Sequence, residues 1–245
     1  VQSAHEADLG LHNLLLPEAL GNIDHAVSLI RQAIESNARI VVVGDFDADG
    51  ATGTALAVRG LMMLGAKNVL FKVPHRVKHG YGLTPGLVDE LTDLKPDLII
   101  TVDSGIACLP GIAKAKQLGY KVLVTDHHLP GEVLPVADAI VNPNLSNDRF
   151  PSKSLAGVGV MFYLLLAVRM KLREDNAPFA DADLSGLLDL VAIGTVADMV
   201  KLDSNNRRLI RAGLARINQG RCQPGVNALL KISGVNPGQV TEIDI

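Results

Sequence analysis

The residues best suited to chemistry in this chain are aspartates and histidines at short, regular spacings. Asp45, Asp47 and Asp49 stand at alternate positions in Gly44-Asp45-Phe46-Asp47-Ala48-Asp49-Gly50. If the extended backbone of the preceding Ile40-Val41-Val42-Val43 run persists, positions i, i+2 and i+4 face one way. Three carboxylates on one side repel one another unless protons or a cation neutralise them. A hard divalent cation with oxygen ligands is the natural partner. An isolated Asp-Gly would be an ordinary turn, but a turn does not need three alternating acids. The segment also begins like an EF-hand calcium loop, a motif that needs a preceding helix and a Glu at its twelfth position. Here a β-branched run precedes it and the twelfth position is Leu56, which excludes that reading.

More such residues follow. Asp103 lies in Thr101-Val102-Asp103-Ser104-Gly105, a triplet Asp126-His127-His128 comes next, and Asp198 ends Gly194-Thr195-Val196-Ala197-Asp198. Imidazole together with carboxylate suits Mn²⁺, Zn²⁺ or Fe²⁺, whereas an all-oxygen set would favour Mg²⁺ or Ca²⁺. Several Asp with His127 read best as Mn²⁺. Many acids and few donors point to two ions sharing a carboxylate, roughly 3.5–4 Å apart. Such a pair activates a water and stabilises both oxygens of a phosphoryl displacement, so phosphate-ester hydrolysis is the expected reaction class. Of two adjacent histidines only one faces a metal squarely. His127 is assigned as ligand and His128 as donor to a phosphoryl oxygen or leaving group. Asp126 either joins His128 in catalysis or orients an imidazole. Asp198 sits where a helix should end, and an acid there opposes the helix dipole, which favours a binding role. Arg76, Lys78 and His79, with Ser154 and the Gly157-Val158-Gly159 turn, are candidate phosphate contacts.

These residues need elements to hold them. The chain has 245 residues, 48% hydrophobic, and glycine is frequent while aromatics are scarce, which suits an α/β protein. Short strands are expected at Ile40–Val43, Val69–Val73, Asp97–Val102, Lys121–Thr125 and Ala139–Val141, alternating with helices of 10–15 residues. That alternation predicts a doubly wound, mainly parallel five-stranded sheet flanked by helices. In such sheets ligands bind beyond the carboxyl ends of the strands, where Asp45, Asp47, Asp49, Asp103, Asp126, His127 and His128 fall. Asn22 is expected to cap a first helix to about Ser36, and Thr84 one begun by Pro85. From Ser154 onward the pattern is helical, giving a helical C-terminal extension. The expected division is 1–36 as an N-terminal segment and helix, 37–200 as the catalytic unit, and 201–245 as an extension leading to a second domain. The net charge of −3 gives no global basic field for nucleic acid. Cys108 and Cys222 are too few for a disulfide framework, so a reducing cytoplasm is expected. The longest apolar run, Val158 to Val168, is too short to span a bilayer, and no membrane association is expected.

The motifs Asp-x-Asp-x-Asp-Gly, Val-Asp-Ser-Gly, Asp-His-His and Gly-Thr-Val-Ala-Asp, in this order, resemble the four motifs of the DHH phosphoesterase superfamily. The resemblance extends to the RecJ family of bacterial exonucleases within it. It is carried by Gly80-Tyr81-Gly82-Leu83, Thr125-Asp126-His127-His128-Leu129-Pro130-Gly131, Asn142-Pro143-Asn144 and Ser154-Leu155-Ala156-Gly157-Val158-Gly159, and covers about Leu14 to Leu230. It implies a Mn²⁺- or Mg²⁺-dependent exonuclease that degrades single-stranded DNA from its 5′ end in recombination and repair. A single-strand-binding protein and a helicase would be its partners. By motif, Asp45, Asp47, Asp49, Asp103, His127 and Asp198 would be the metal ligands, and His128 would act on the phosphate. Other superfamily members carry a His upstream in the first motif, and here Asp45 stands nearest to that role. The family's Gly-Gly-His domain and OB-fold have no counterpart in this sequence, so strand binding by this chain alone is expected to be poor. The alternatives are a DHH phosphodiesterase on short oligonucleotides or cyclic dinucleotides, and a non-catalytic replication scaffold. The scaffold reading would require lost ligand positions, and these are all filled.

Overall fold

The structure, a computed structural model, describes residues 8–236 and 238–245. The first seven residues of the expected N-terminal segment lie outside that range.

Five apolar runs form one sheet: β1 (Ile40–Gly44), β2 (Val69–Lys72), β3 (Leu98–Val102), β4 (Lys121–Thr125) and β5 (Ala139–Val141). The strand order is β2-β1-β3-β4-β5, and every pairing is parallel rather than mainly so. Eight α-helices accompany it among the described residues. They are α1 (Ile23–Glu35), α2 (Ala48–Met63), α3 (Pro85–Leu91), α4 (Leu109–Gln117), α5 (Gly157–Glu174), α6 (Leu188–Ala197), α7 (Ser204–Asn218) and α8 (Pro224–Ser233).

Alternation along the strands sends residues to opposite faces. Ile40, Val42, Ile100 and Leu123 join a core with Ile30 of α1, Leu61 of α2 and Leu164 of α5. Val41, Val43, Ile99 and Val122 join another with Leu87 and Val88 of α3 and Ile112 of α4. Both faces are covered, as expected for a doubly wound sheet whose central strands read as continuous apolar runs. The helices α6, α7 and α8 form the C-terminal helical region. Gly213 is needed there, because a Cβ would fall 2.2 Å from the carbonyl oxygen of Leu188.

Register aligns the strand ends. Gly44 pairs with Val102, Val102 with Thr125, and Thr125 with Val141. The next residues along the chain are Asp45, Asp103, Asp126 and Asn142, which therefore share one level above the sheet. Chain direction across the sheet reverses between β1 and β3, the crevice where open α/β sheets bind ligands.

Two capping expectations separate. Thr84 caps α3 by accepting from the Leu87 N–H at 3.3 Å. Asn22 precedes α1 but adopts a left-handed backbone, and its side-chain amide donates to the Ile140 carbonyl instead. Among the described residues no helix is long and apolar enough to cross a membrane.

Candidate metal centre

The three aspartates after β1 are brought together by a turn and a helix start, not by strand alternation. β1 ends at Gly44, and Asp47 is the N-cap of α2, its Oδ1 accepting from the Gly50 N–H at 2.8 Å. Asp45 is buried in the turn and its Oδ1 accepts from the Phe46 N–H at 2.8 Å. Asp49, in the first turn of α2, is buried. Its Oδ2 accepts from the Gly157 N–H at 2.7 Å and its Oδ1 from the Val158 N–H at 2.9 Å. One carboxylate thus holds the N-terminus of α5 against α2, the favoured place for a negative charge on a helix.

Asp103 follows β3 with φ of 59°, in the left-handed region that few non-glycine residues adopt. That backbone turn sets its buried carboxylate beside the other acids. A Cβ on Gly157 would lie 2.5 Å from the Asp103 Cβ, so the glycine lets α5 approach this closely. His127 Nε2 lies 3.1 Å from Asp103 Oδ1 and 3.6 Å from Asp198 Oδ2. Asp198 is the C-cap of α6, and its own N–H closes the last helical turn on the Gly194 carbonyl.

Asp103 Oδ1, His127 Nε2 and Asp198 Oδ2 are each buried without a hydrogen-bond partner. Buried polar atoms are almost always satisfied, and a convergent trio of orphans is a cation-shaped deficit. Two groups of donors lie within reach of a single ion: Asp49, His127 and Asp198, and separately Asp45, Asp47 and Asp103. Asp103 also clusters with His127 and His128, so it stands between the two groups. Carboxylates with one imidazole suit a divalent ion of the Mn²⁺ type, and a mostly oxygen set accepts Mg²⁺ as well. The residues present therefore fit a two-cation site.

The electrostatics agree. Burial, followed by the charge of Asp103, pushes Asp49 well above the ordinary carboxylate range. Burial and then Asp47 push Asp103 up to about 9, and burial also raises Asp45 and Asp198. A bound cation reverses this logic by favouring the ionised carboxylates.

Asp126 is committed to hydrogen bonds within the protein through both of its oxygens. Its Oδ1 accepts from the His127 N–H at 2.7 Å, the His128 N–H at 3.1 Å and His128 Nδ1 at 2.7 Å, and its Oδ2 accepts from the Ile106 N–H at 2.8 Å. Burial opposes its charge, yet the bonds from His128 and Ile106 bring its carboxyl below the usual range. These bonds orient the His128 ring. His128 is half exposed, and its hydrogen bond to Asp126 raises the imidazole to about 9.

The candidate phosphate contacts are redistributed. Arg76 lies beside the centre, its guanidinium carbon 4.2 Å from the ring centroid of Phe46, between Asp45 and Asp47. Gly157 gives its N–H to Asp49. The His79 ring is buried and bonded to Glu90 at 2.8 Å. Ser154 gives its carbonyl to the Asn206 side chain at 2.7 Å and shows no link to the acids.

These motifs match the description of the DHH family, N-terminal domain, over residues 39–195. The chain belongs to the DHH family. A curated relative, the single-stranded-DNA-specific exonuclease RecJ of Salmonella typhimurium, is 52% identical over all of this chain and 43% of its own length. The chain thus spans less than half of that relative. A crystal structure of exonuclease RecJ bound to manganese superposes with a TM-score of 0.79 at 37% identity, covering 92% of this chain and 54% of that one. The RecJ of Thermus thermophilus in complex with Mn²⁺ gives 0.76 at 36% identity, covering 95% of this chain and 32% of that one.

Three residues of this DHH centre carry roles that the sequence alone did not assign. The Tyr81 hydroxyl donates to the Asp103 carbonyl at 3.1 Å and lies 3.3 Å from His128 Nδ1. Asn142 Nδ2 donates to the His128 carbonyl at 2.9 Å, and Asn144 Nδ2 to the His127 carbonyl at 2.5 Å. The two asparagines clamp the backbone of the DHH triplet from the end of β5. Their signal was the Asn-Pro-Asn run directly beyond a strand, in line with the acidic strand ends.

Proposed function

We propose that this chain is the catalytic core of a metal-dependent phosphodiesterase that hydrolyses single-stranded DNA from its 5′ end. The observation that carries the reading is the meeting of Asp103, His127 and Asp198 through buried, unpartnered atoms, with Asp103 also reaching the Asp45 and Asp47 pair. The names of the RecJ relatives supply the substrate class. The unit doing this chemistry is residues 37–200.

In this reading Asp49, His127 and Asp198 hold one divalent ion, Asp45 and Asp47 hold a second, and Asp103 serves both. Mn²⁺ is the favoured metal and Mg²⁺ the alternative. Bound there, the pair supplies Lewis acidity and a nucleophile at neutral pH. The protein's own contribution is positional. Asp126 fixes the Nδ1 edge of His128 and leaves Nε2 for a phosphoryl or leaving oxygen. The raised imidazole holds a proton at neutral pH, as a general acid or charge stabiliser needs. Tyr81 steadies the same ring edge-on, with the centroids 5.9 Å apart. Arg76 offers a fork suited to a strand's phosphate. In the cell the enzyme works in the cytoplasm, beside a helicase and a single-strand-binding protein that deliver unwound strands.

The test is a time course on 5′- and 3′-labelled single strands with Mn²⁺, alongside cyclic dinucleotides and duplex controls. Early release of the 5′ label as mononucleotide supports the reading. Early release of the 3′ label, or faster turnover of cyclic dinucleotides, overturns it.

A further inference from the structure

We propose that Glu90 and His79 are positioning residues that hold Arg76 beside the metal centre. The inference rests on the phosphodiesterase reading only for the role of Arg76 toward a phosphate, not for the geometry.

The loop between β2 and α3 carries both Arg76 and Tyr81. Residues 75–78 of this loop are exposed, with Val77 at 88%, so the tip is not held by apolar burial. Polar bonds close it instead. The His79 N–H donates to the His75 carbonyl at 2.8 Å, and His75 Nδ1 accepts from the N–H groups of Val77 and Lys78 at 3.2 and 3.3 Å. His79 Nδ1 accepts from the His75 N–H at 2.9 Å. That places the imidazole proton on Nε2, which donates to Glu90 Oε1 at 2.8 Å. The His79 side chain is only 6% exposed.

Glu90 is well placed as an anchor. It rides on α3, whose Leu87, Val88 and Leu91 are fully buried against the sheet. Its Oε2 also meets Lys72 of β2 at 2.8 Å, and its Oε1 meets Lys78. Strand, helix and loop thus converge on one carboxylate. The lysine pairs are exposed and contribute little by themselves. The bond to the buried imidazole is the one that fixes the loop. Its consequence reaches the centre: Arg76 rests on Phe46 with its guanidinium carbon 4.2 Å from the ring centroid. Holding a flexible arginine in place before the substrate arrives removes an ordering cost from binding.

The experiment compares Glu90→Ala, Glu90→Gln, His79→Phe and Arg76→Ala. One readout is the NMR resonance of the Arg76 side-chain N–H, displaced by the Phe46 ring. The other is Mn²⁺-dependent hydrolysis of a 5′-phosphorylated dinucleotide and of bis(p-nitrophenyl) phosphate, which lacks a terminal phosphate for Arg76. Glu90→Ala and His79→Phe should return the Arg76 resonance to its solvent-exposed value. They should raise KM for the dinucleotide about tenfold with kcat little changed, the pattern of lost binding, and leave the small diester unaffected. Glu90→Gln keeps an acceptor for His79 and should restore both readouts. Adding Glu90→Ala to Arg76→Ala should cost nothing more. An unmoved resonance, equal losses on both substrates, or additive losses would overturn the proposal. If the unaltered chain cleaves neither substrate, the phosphodiesterase reading falls, while the Arg76 resonance still decides the positioning.

Discussion

His127 Nε2 stands 3.1 Å from Asp103 Oδ1, and neither atom makes a hydrogen bond. Leaving a buried polar atom unsatisfied costs about 1–3 kcal/mol. The fold tolerates this because the atoms are held from several sides. The left-handed turn at Asp103, the Asn144 clamp on the His127 carbonyl and the helix end at Asp198 all converge there. Ions between these groups would repay the cost.

The two histidines should separate by role. His127→Ala should weaken Mn²⁺ binding by at least about 100-fold, since losing a group that merely orients a ligand already costs about 10–100-fold. His128→Ala should leave that affinity within about threefold and slow hydrolysis by about 10²–10⁴-fold. Titration calorimetry beside steady-state rates checks both. Equal loss of metal in the two variants would contradict the division of labour.

Gly157→Ala should damage the centre without removing any charged group. The added methyl would fall 2.5 Å from the Asp103 Cβ, and α5 or Asp103 must move. Overpacking of this kind costs about 1–3 kcal/mol. Metal affinity should fall together with the denaturant midpoint. An unchanged metal affinity would show that the closeness of α5 to Asp103 is not needed.

The pH dependence has a definite sign. Asp49 and Asp103 are raised mainly by burial, Asp103 to about 9, and His128 is raised to about 9 by Asp126. Between about pH 4 and 9 the folded, cation-free chain therefore holds protons that the unfolded chain has released. Stability then falls as pH rises. Metal binding expels the carboxyl protons of Asp49 and Asp103 and should flatten or reverse the trend. Thermal unfolding in chelator and in Mg²⁺, from about pH 5 to about 8.5, measures it. A midpoint that rises with pH in chelator would contradict the assignment.

Much of this was legible in the sequence, for identifiable reasons. Strands such as Lys121–Thr125 and Ala139–Val141 were read to the residue, because β-branched runs ended at residues unsuited to a sheet. Asp45, Asp103 and Asp126 were recognised as a group because each followed a strand. The route by which they meet was not legible. Asp47 and Asp49 arrive as the cap and the first turn of a helix that begins at Ala48. The real duties of Gly157 and His79 were equally hidden. One depends on how closely α5 approaches β3, the other on a carboxylate 11 residues away on α3. The saturation of Asp126 could be counted only once the Ile106 amide was placed.

Anomalous scattering from a crystal of this chain soaked in Mn²⁺ tests the central claim most directly. Two peaks are expected beyond the ends of β1 and β3. One should contact Asp49, His127 and Asp198, the other Asp45 and Asp47, with the Asp103 carboxylate touching both. Loss of both peaks in Asp103→Ala would complete the agreement. A single peak that Asp103 does not touch, or two peaks that survive its removal, would contradict the account.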